Sequence, residues 1–505
     1  MEAQEQQDRN NSPDFSEIVI ALVSAVGTDL QRFTTMIIEE LELYEFKADV
    51  IRVSQDILGV LDEKPAKASN IQTIEHYMGA GNRYRAGTNE NAALAYSAIA
   101  KISELRFSKL NGAAPQPLRK QAWIIRSLKH PDEVAALRET YGDSLFVLGI
   151  HTSYQNRFLN LKKKLKKAED ESLIHKLIAR DADEGSDSGH GQHTRDTFHL
   201  SDFFIDEDQN LNKNKADIER VFKLIFGEPF LTPTFDEYAM YMAFSASTRS
   251  ADLSRQVGAV LAKDKNIIST GANDVPKPHG GLYWPELVNS EIVDLPNGRD
   301  HTLGYDANKK TIKEIIDDLI TKLELEDNEA TRSKFSKTKL NDITEYGRVV
   351  HAEMEAILSC GRSANSTVGT SLYCTTFPCH NCAKHIIAAG VKRVVYVEPY
   401  SKSKAFEFHG DSISDGRSED KVSFEPFVGV GPRSFLNLFS MKLGNGQPIK
   451  RKNSLGETVE WSRESATLRM TQDWLRLIAR EEFATAYAAE QLTKYKTWKL
   501  QNEKE

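Results

Sequence analysis

Cysteine is scarce in this chain: four residues in 505, two of them three positions apart beside a proline. That is too few for a disulfide framework and suits metal binding in a reducing, cytoplasmic setting. Long apolar runs are missing too. The stretch Ile18 to Val26 falls far short of the roughly 20 residues that cross a bilayer, so no transmembrane helix is expected. Met1 to Asn11 holds no apolar core that could serve as a secretory signal and reads as part of a loose tail over residues 1–15. Basic residues are not in excess. A formal charge of −8 argues against wrapping a long polyanion, because such binding draws most of its affinity from lysine and arginine. No repeat of solenoid length is found.

What is present is ordinary globular material, 40% hydrophobic and 27% charged, in a length that implies more than one core. Glu17 to Val23 reads as a strand, broken at Ser24-Ala-Val-Gly27-Thr-Asp29 and followed by a helical pattern from Leu30 to Leu43. Ala48 to Val53, Trp123 to Ile125, Leu145 to Ile150 and Phe203 to Ile205 read as further strands, with a helix over Lys215 to Phe226. Short strands alternating with long helices predict a parallel α/β domain over residues 16–230. The basic run Lys162 to Lys167 is a solvated helix face, and Gly185 to Gly191 a Gly/Ser-rich loop.

A second domain is expected over residues 234–420. Its pattern is a helix (Asp236 to Ser247), a hairpin (Val257 to Ala262 and Asn266 to Ala272) and a polar insertion at about 284–346. Helix, strand, helix and strand follow at Val349 to Ser359, Thr370 to Thr375, Cys379 to Ala389 and Arg393 to Val397. Residues 421–505 read as a largely helical extension, with a Phe/Pro/Gly-rich connection from Phe424 to Phe435 and a helix from Ala466 to Tyr495.

The chemistry concentrates in the second domain. His351-Ala-Glu353 opens one predicted helix and Pro378-Cys379-His-Asn-Cys382 opens the next. Helix N-termini favour anionic thiolates. One imidazole and two thiolates fill three positions around Zn²⁺ and leave the fourth for water, as a catalytic site requires. Glu353 faces the same cavity without ligating and can move a proton. Taken singly, Cys-x-x-Cys also marks structural zinc and redox sites, and a lone helical histidine is usually a satisfied polar residue. In combination these residues form the general signature of zinc deaminases, in which Zn²⁺ serves the hydrolytic loss of ammonia from a base. A structural zinc would need a fourth protein ligand; His380 and His385 are badly placed for that role. Cys360 and Cys374 lack ligand spacing and read as buried thiols.

At these residues the chain resembles the cytidine and deoxycytidylate deaminase superfamily, and within it the deoxycytidylate deaminases. Ala246-Ser-Thr-Arg249-Ser250, Ser254-Arg-Gln-Val257-Gly-Ala and Ser269-Thr-Gly-Ala-Asn273 resemble the helix and hairpin ahead of that family's metal ligands, and Phe377 to Gly390 continues the match. The resemblance implies that Asn273 meets the sugar or base and that Arg249 or Arg255 meets the phosphate, and it implies a homo-oligomer. The whole chain resembles the bacterial anti-phage deoxycytidine nucleotide deaminases, which join a P-loop kinase-like domain to a deaminase domain. Pointers are Gly191 to Phe198, Gly281 to Glu286 and Phe427 to Arg433. That likeness implies drainage of dCTP or dCMP during infection, with some members restrained by a small RNA. The implied fold is an N-terminal P-loop NTPase/kinase-like parallel-sheet domain, then a cytidine deaminase-like α/β/α domain with a helical C-terminal extension.

The first domain departs from the P-loop pattern. Ser24-Ala-Val-Gly-Thr-Asp-Leu-Gln31 has Leu30 where lysine belongs, and Arg126 falls where a magnesium-binding aspartate is expected. Efficient ATP hydrolysis is therefore not expected. The loop residues Ser24, Gly27, Thr28 and Asp29 are instead candidates for holding the phosphate of a regulatory nucleotide; a purely scaffolding domain is the competing reading. For the enzyme, the competing readings are a tRNA or single-stranded DNA deaminase, a housekeeping dCMP deaminase supplying dUMP, and a non-catalytic nucleotide-binding regulator.

Overall fold

The computed structural model describes residues 16–62, 69–165, 170–182, 184, 189–400, 403–470 and 472–502. The expected tail and much of the Gly/Ser-rich loop lie outside these residues. The chain forms two compact units, one built from the chain up to Pro233 and again from Val428, the other from Thr234–Phe427.

The first unit is organised by β1 (Glu17–Ser24), whose eight residues are all buried. Such a run, apolar on both faces, suits a central strand of a parallel sheet. The turn after it leads to α1 (Leu30–Glu42), capped by the Asp29 carboxylate, which accepts from the Arg32 amide. Then come β2 (Lys47–Arg52), α2 (Asn70–Thr88), α3 (Ala93–Lys109), β3 (Gln121–Leu128), β4 (Leu145–His151) and β5 (Phe203–Asp206). The strands lie in the order β5-β4-β1-β3-β2, all parallel. The two-residue strand Gly429–Val430 adds antiparallel to the β5 edge.

Residues from Val428 onward therefore belong to this unit, while Val422–Pro426 is a strand of the other. The long last helix starts at Trp474, later than its periodicity suggests, because the backbone before it is engaged elsewhere: the Arg469 amide donates to the Ile225 carbonyl. The helix packs into the unit through Tyr495 against Tyr84 and through Glu481. Glu481 and Glu17 share the guanidinium of Arg106, which is only 2% exposed. Three buried charges held together in this way satisfy one another; removing one leaves the others unpaired in a low-dielectric interior.

The second unit begins with α4 (Phe235–Ser247), opened by a reciprocal cap between Thr234 and Glu237. The hairpin β6 (Gly258–Lys263) and β7 (Asn266–Ala272) follows. The insertion forms a small exposed hairpin, β8 (Glu286–Val288) and β9 (Glu291–Val293), and the helix Ala307–Lys322. The remaining elements are α5 (Ala352–Arg362), β10 (Ser371–Thr376), α6 (His380–Ala388), β11 (Arg393–Glu398), β12 (Ile413–Asp415) and β13 (Val422–Pro426). The sheet order is β12-β13-β11-β10-β6-β7.

Two glycines set how closely the helices approach this sheet. A Cβ on Gly258 would stand 1.9 Å from the Ala243 carbonyl oxygen of α4, and one on Gly271 would stand 2.1 Å from the Ala352 oxygen of α5. Gly271 pairs with Ala259, the neighbour of Gly258. Successive strand residues face opposite ways, so α4 and α5 lie on opposite faces of the sheet.

Candidate active site

The site is assembled from the N-termini of α5 and α6. His351 is the N-cap of α5, in extended backbone, so its imidazole leaves the helix at its tip. The approach is fixed by the Val350 amide donating to the Asp274 carbonyl at 3.0 Å and by the Ser269 hydroxyl donating to the Ala356 carbonyl at 2.8 Å. Cys379 is the N-cap of α6, and its sulfur accepts from the Cys382 amide at 3.4 Å. The His351 Nδ1 lies 3.4 Å from the Cys379 sulfur and 3.3 Å from the Cys382 sulfur. These three donor atoms all fall within 4.8 Å of one another.

The donor set fits Zn²⁺. Tetrahedral bonds of about 2.3 Å to sulfur and about 2.0 Å to nitrogen separate the two atoms by about 3.5 Å, a few tenths from the spacing seen. The electrostatics agree. The Cys379 thiol is drawn down to about 4, chiefly by its hydrogen bond with Cys382 and then by His351, against the effect of burial. His351 is pushed up to about 9, first by its hydrogen bond to Cys379. The Cys382 thiol is raised, by its bond to Cys379 and by burial. Metal coordination takes thiolates and neutral imidazole, so loading the cluster releases protons.

Glu353 sits in the first turn of α5 and is 4% exposed. Burial pushes its carboxyl up, with His351 pulling the other way. A carboxyl raised in this way takes up a proton more readily than an ordinary carboxylate, as a group that relays protons needs. Glu355, two residues along, is occupied by Arg362. Cys360 and Cys374 are fully buried and not among the clustered donors.

The description "Cytidine and deoxycytidylate deaminase zinc-binding region" matches residues 233–398, which contain all four of these side chains. The deoxycytidylate deaminase of Enterobacteria phage T2 is 33% identical over 165 residues, 33% of this chain and 80% of the phage protein. The chain belongs to the deoxycytidylate deaminase family. The phage T4 deoxycytidylate deaminase is 32% identical over 165 residues, 33% of this chain and 78% of its own. A solved dCMP deaminase of cyanophage S-TIM5, in complex with dCMP and dUMP, is 21% identical and matches 39% of this chain and 100% of its own, with a TM-score of 0.23.

The Asn273 carboxamide is used locally, accepting from the Val257 amide at 2.6 Å and donating to the Arg255 carbonyl at 2.8 Å. Arg249 donates to the Tyr283 carbonyl and lies 3.7 Å over the Trp284 ring, with its Nε buried and unpartnered. Arg255 is half exposed, 3.7 Å from Glu398 and over the Tyr400 ring. In the first unit, the turn after β1 is filled by the chain's own carboxylates. The Val26 amide donates to Asp181 at 2.8 Å, and the Asp29 amide to Glu207 at 3.2 Å. The Thr28 hydroxyl bonds that of Thr152, which also meets Glu207. Among Ser24, Gly27, Thr28 and Asp29 an anionic group is thus already in place, supplied by residues more than 150 positions away. No helix of the described residues is long and apolar enough to cross a membrane.

Proposed function

We propose that the second unit hydrolytically deaminates a free deoxycytidine nucleotide, with dCMP converted to dUMP. The observation that carries this reading is the meeting of His351, Cys379 and Cys382 beside the buried Glu353. Relatives named deoxycytidylate deaminase support the substrate class. His351, Cys379 and Cys382 would hold Zn²⁺, which would supply a Lewis acid next to the water that attacks C4 of cytosine. Glu353 accepts the proton of the attacking water and delivers it to N3. It then takes the proton of the new C4 hydroxyl and passes it to the departing amino group, so that the C4–N bond breaks, ammonia leaves, the C4 carbonyl forms and the ring becomes uracil. Arg249, with an unpartnered buried Nε, is the side chain we assign to the substrate phosphate.

On the resemblance of the whole chain to the anti-phage deaminases, the reading extends to dCTP and to depletion of the deoxycytidine pool as defence. The test is incubation of purified zinc-loaded protein with dCMP, dCTP, cytidine and a cytosine-containing oligomer, following ammonia release. Turnover of dCMP or dCTP is expected. Turnover of the oligomer alone would overturn the reading.

A further inference from the structure

Open parallel sheets take ligands beyond the carboxyl ends of their strands, where successive connections leave in opposite directions. In the first unit this happens beside β1: the chain runs out to β2, returns to β3, then crosses over to β4 and β5. A cavity of about 430 Å³ lies at the ends of β1, β2 and β3, within the size range of small-molecule sites. One wall is the π-helical turn Val53–Leu58, a geometry found mostly at functional positions.

The charges lining this cavity do not balance. Its carboxylates are Glu133 and Asp181, and both are taken: Glu133 pairs with Arg85 and Asp181 with Lys129. Arg52 and Arg126 also line it, and neither has an ion pair among the described residues. They are register partners on adjacent strands, Arg52 of β2 beside Arg126 of β3. Like charges placed opposite one another destabilise a sheet. Burial, and then the repulsion of Arg52, draw the Arg126 guanidinium below its usual range. Arg126 makes one neutral hydrogen bond, to Gln31.

The rest of the lining differs in character. Leu58, Ile74, Tyr77 and Met78 form an apolar and aromatic side. Three buried polar atoms on the walls have no partner: Arg85 Nε, Ser127 Oγ and Gln192 Oε1. Arg85 is 1% exposed and Gln192 4%. Buried polar atoms are rarely left unpaired without reason. The neighbouring turn after β1 offers no alternative home for an anion, since Asp181 and Glu207 already occupy its amides.

We propose that this cavity binds a nucleoside phosphate, with the phosphate held by Arg52 and Arg126 and the ring received by the side that includes Tyr77 and Met78. Ser127 and Gln192 offer a hydroxyl and a carbonyl to the polar edge of the ring. The assignment stands independently of the deaminase reading, since none of its residues belongs to the second unit.

The full zinc-loaded chain carrying Glu353→Gln, which slows the consumption of substrate, is titrated calorimetrically with purine and pyrimidine deoxynucleoside mono- and triphosphates and with inorganic phosphate. The titrations are repeated with Arg52→Gln and Arg126→Gln added. At least one nucleotide should show a binding event that weakens by about tenfold or more on losing two charge-assisted contacts, and inorganic phosphate should bind more weakly than that nucleotide. Removing one of two facing cations should leave the melting temperature of the ligand-free chain unchanged or higher. Three results would overturn the proposal: no event sensitive to the arginine substitutions, inorganic phosphate bound as tightly as every nucleotide, or a lower ligand-free melting temperature for Arg126→Gln.

Discussion

Gly271 carries no reactive group, yet its replacement by alanine should disable the active site. The new Cβ would lie 2.1 Å from the Ala352 carbonyl oxygen and 2.5 Å from the Ala356 amide nitrogen, both backbone atoms of α5. Ordinary contact begins near 3.4 Å, so α5 must retreat from β7 by about 1.3 Å. That helix bears His351 and Glu353, whereas Cys379 and Cys382 belong to α6. The retreat therefore moves one of the three ligands, together with Glu353, against the other two, by several times the ~0.2 Å that metal ligation tolerates. A misplacement of about 1 Å costs on the order of 100-fold in rate, and overpacking costs about 1–3 kcal/mol of stability. The assay is kcat/KM for dCMP with zinc content and melting temperature measured in parallel. Gly258→Ala is the control, because it clashes at 1.9 Å with α4, which carries neither a metal-binding residue nor Glu353, so its effect on the reaction is read at saturating substrate. It should lose comparable stability and far less activity. A folded Gly271→Ala protein with kcat/KM within about threefold of wild type would refute the reasoning.

Glu353→Gln should lower deamination by about 10²- to 10⁴-fold while elemental analysis still finds zinc. Cys379→Ala and Cys382→Ala should each lose the metal and bring activity to background, since three protein ligands are clustered among the described residues. Asn273→Ala leaves the Val257 amide and Arg255 carbonyl without their partners, a cost of about 1–3 kcal/mol that thermal denaturation should read. Asp236 is pushed up by burial but brought below its ordinary value by Arg393 and Tyr373. A depressed folded pKa gives stability that is present above the unfolded value and lost as the pH falls through the folded one. The stability advantage of the wild type over Asp236→Asn should therefore shrink as the pH falls through and below the ordinary carboxylate range, and an advantage that stays constant as the pH falls would contradict the pairing.

The four site residues were legible because each pair is local in sequence and each sits where a helix begins. Spacing alone brings Glu353 beside His351, and Cys382 beside Cys379. The inner strands were legible for a similar reason: runs such as Ile18 to Val23 have only one comfortable place, between two covered faces. What could not be read is whatever depends on distant partners. Nothing in Ser24-Ala-Val-Gly27-Thr-Asp29 announces that Asp181 and Glu207 will occupy its amides. The resemblance assigns Asn273 to the sugar or base, and its carboxamide also ties the backbone of residues 255–257. Gly429–Val430 is too short to carry any periodicity, so its place on the edge of the first sheet was hidden. Gly271 did leave a trace, since a lone glycine inside a strand pattern marks a close backbone approach.

The route of the chain through the two units has a bearing on its synthesis. Arg106 meets Glu17 early, but its second carboxylate, Glu481, lies 375 positions further on. A ribosome delivers all of Thr234–Phe427 before it delivers that residue, the edge strand or the long final helix. Domains tend to fold as units while the chain emerges. The deaminating unit is thus complete in the growing polypeptide while the unit that encloses it in sequence still waits for its last parts, and a cut at either crossing would leave the two halves of that outer unit clasped through Arg106.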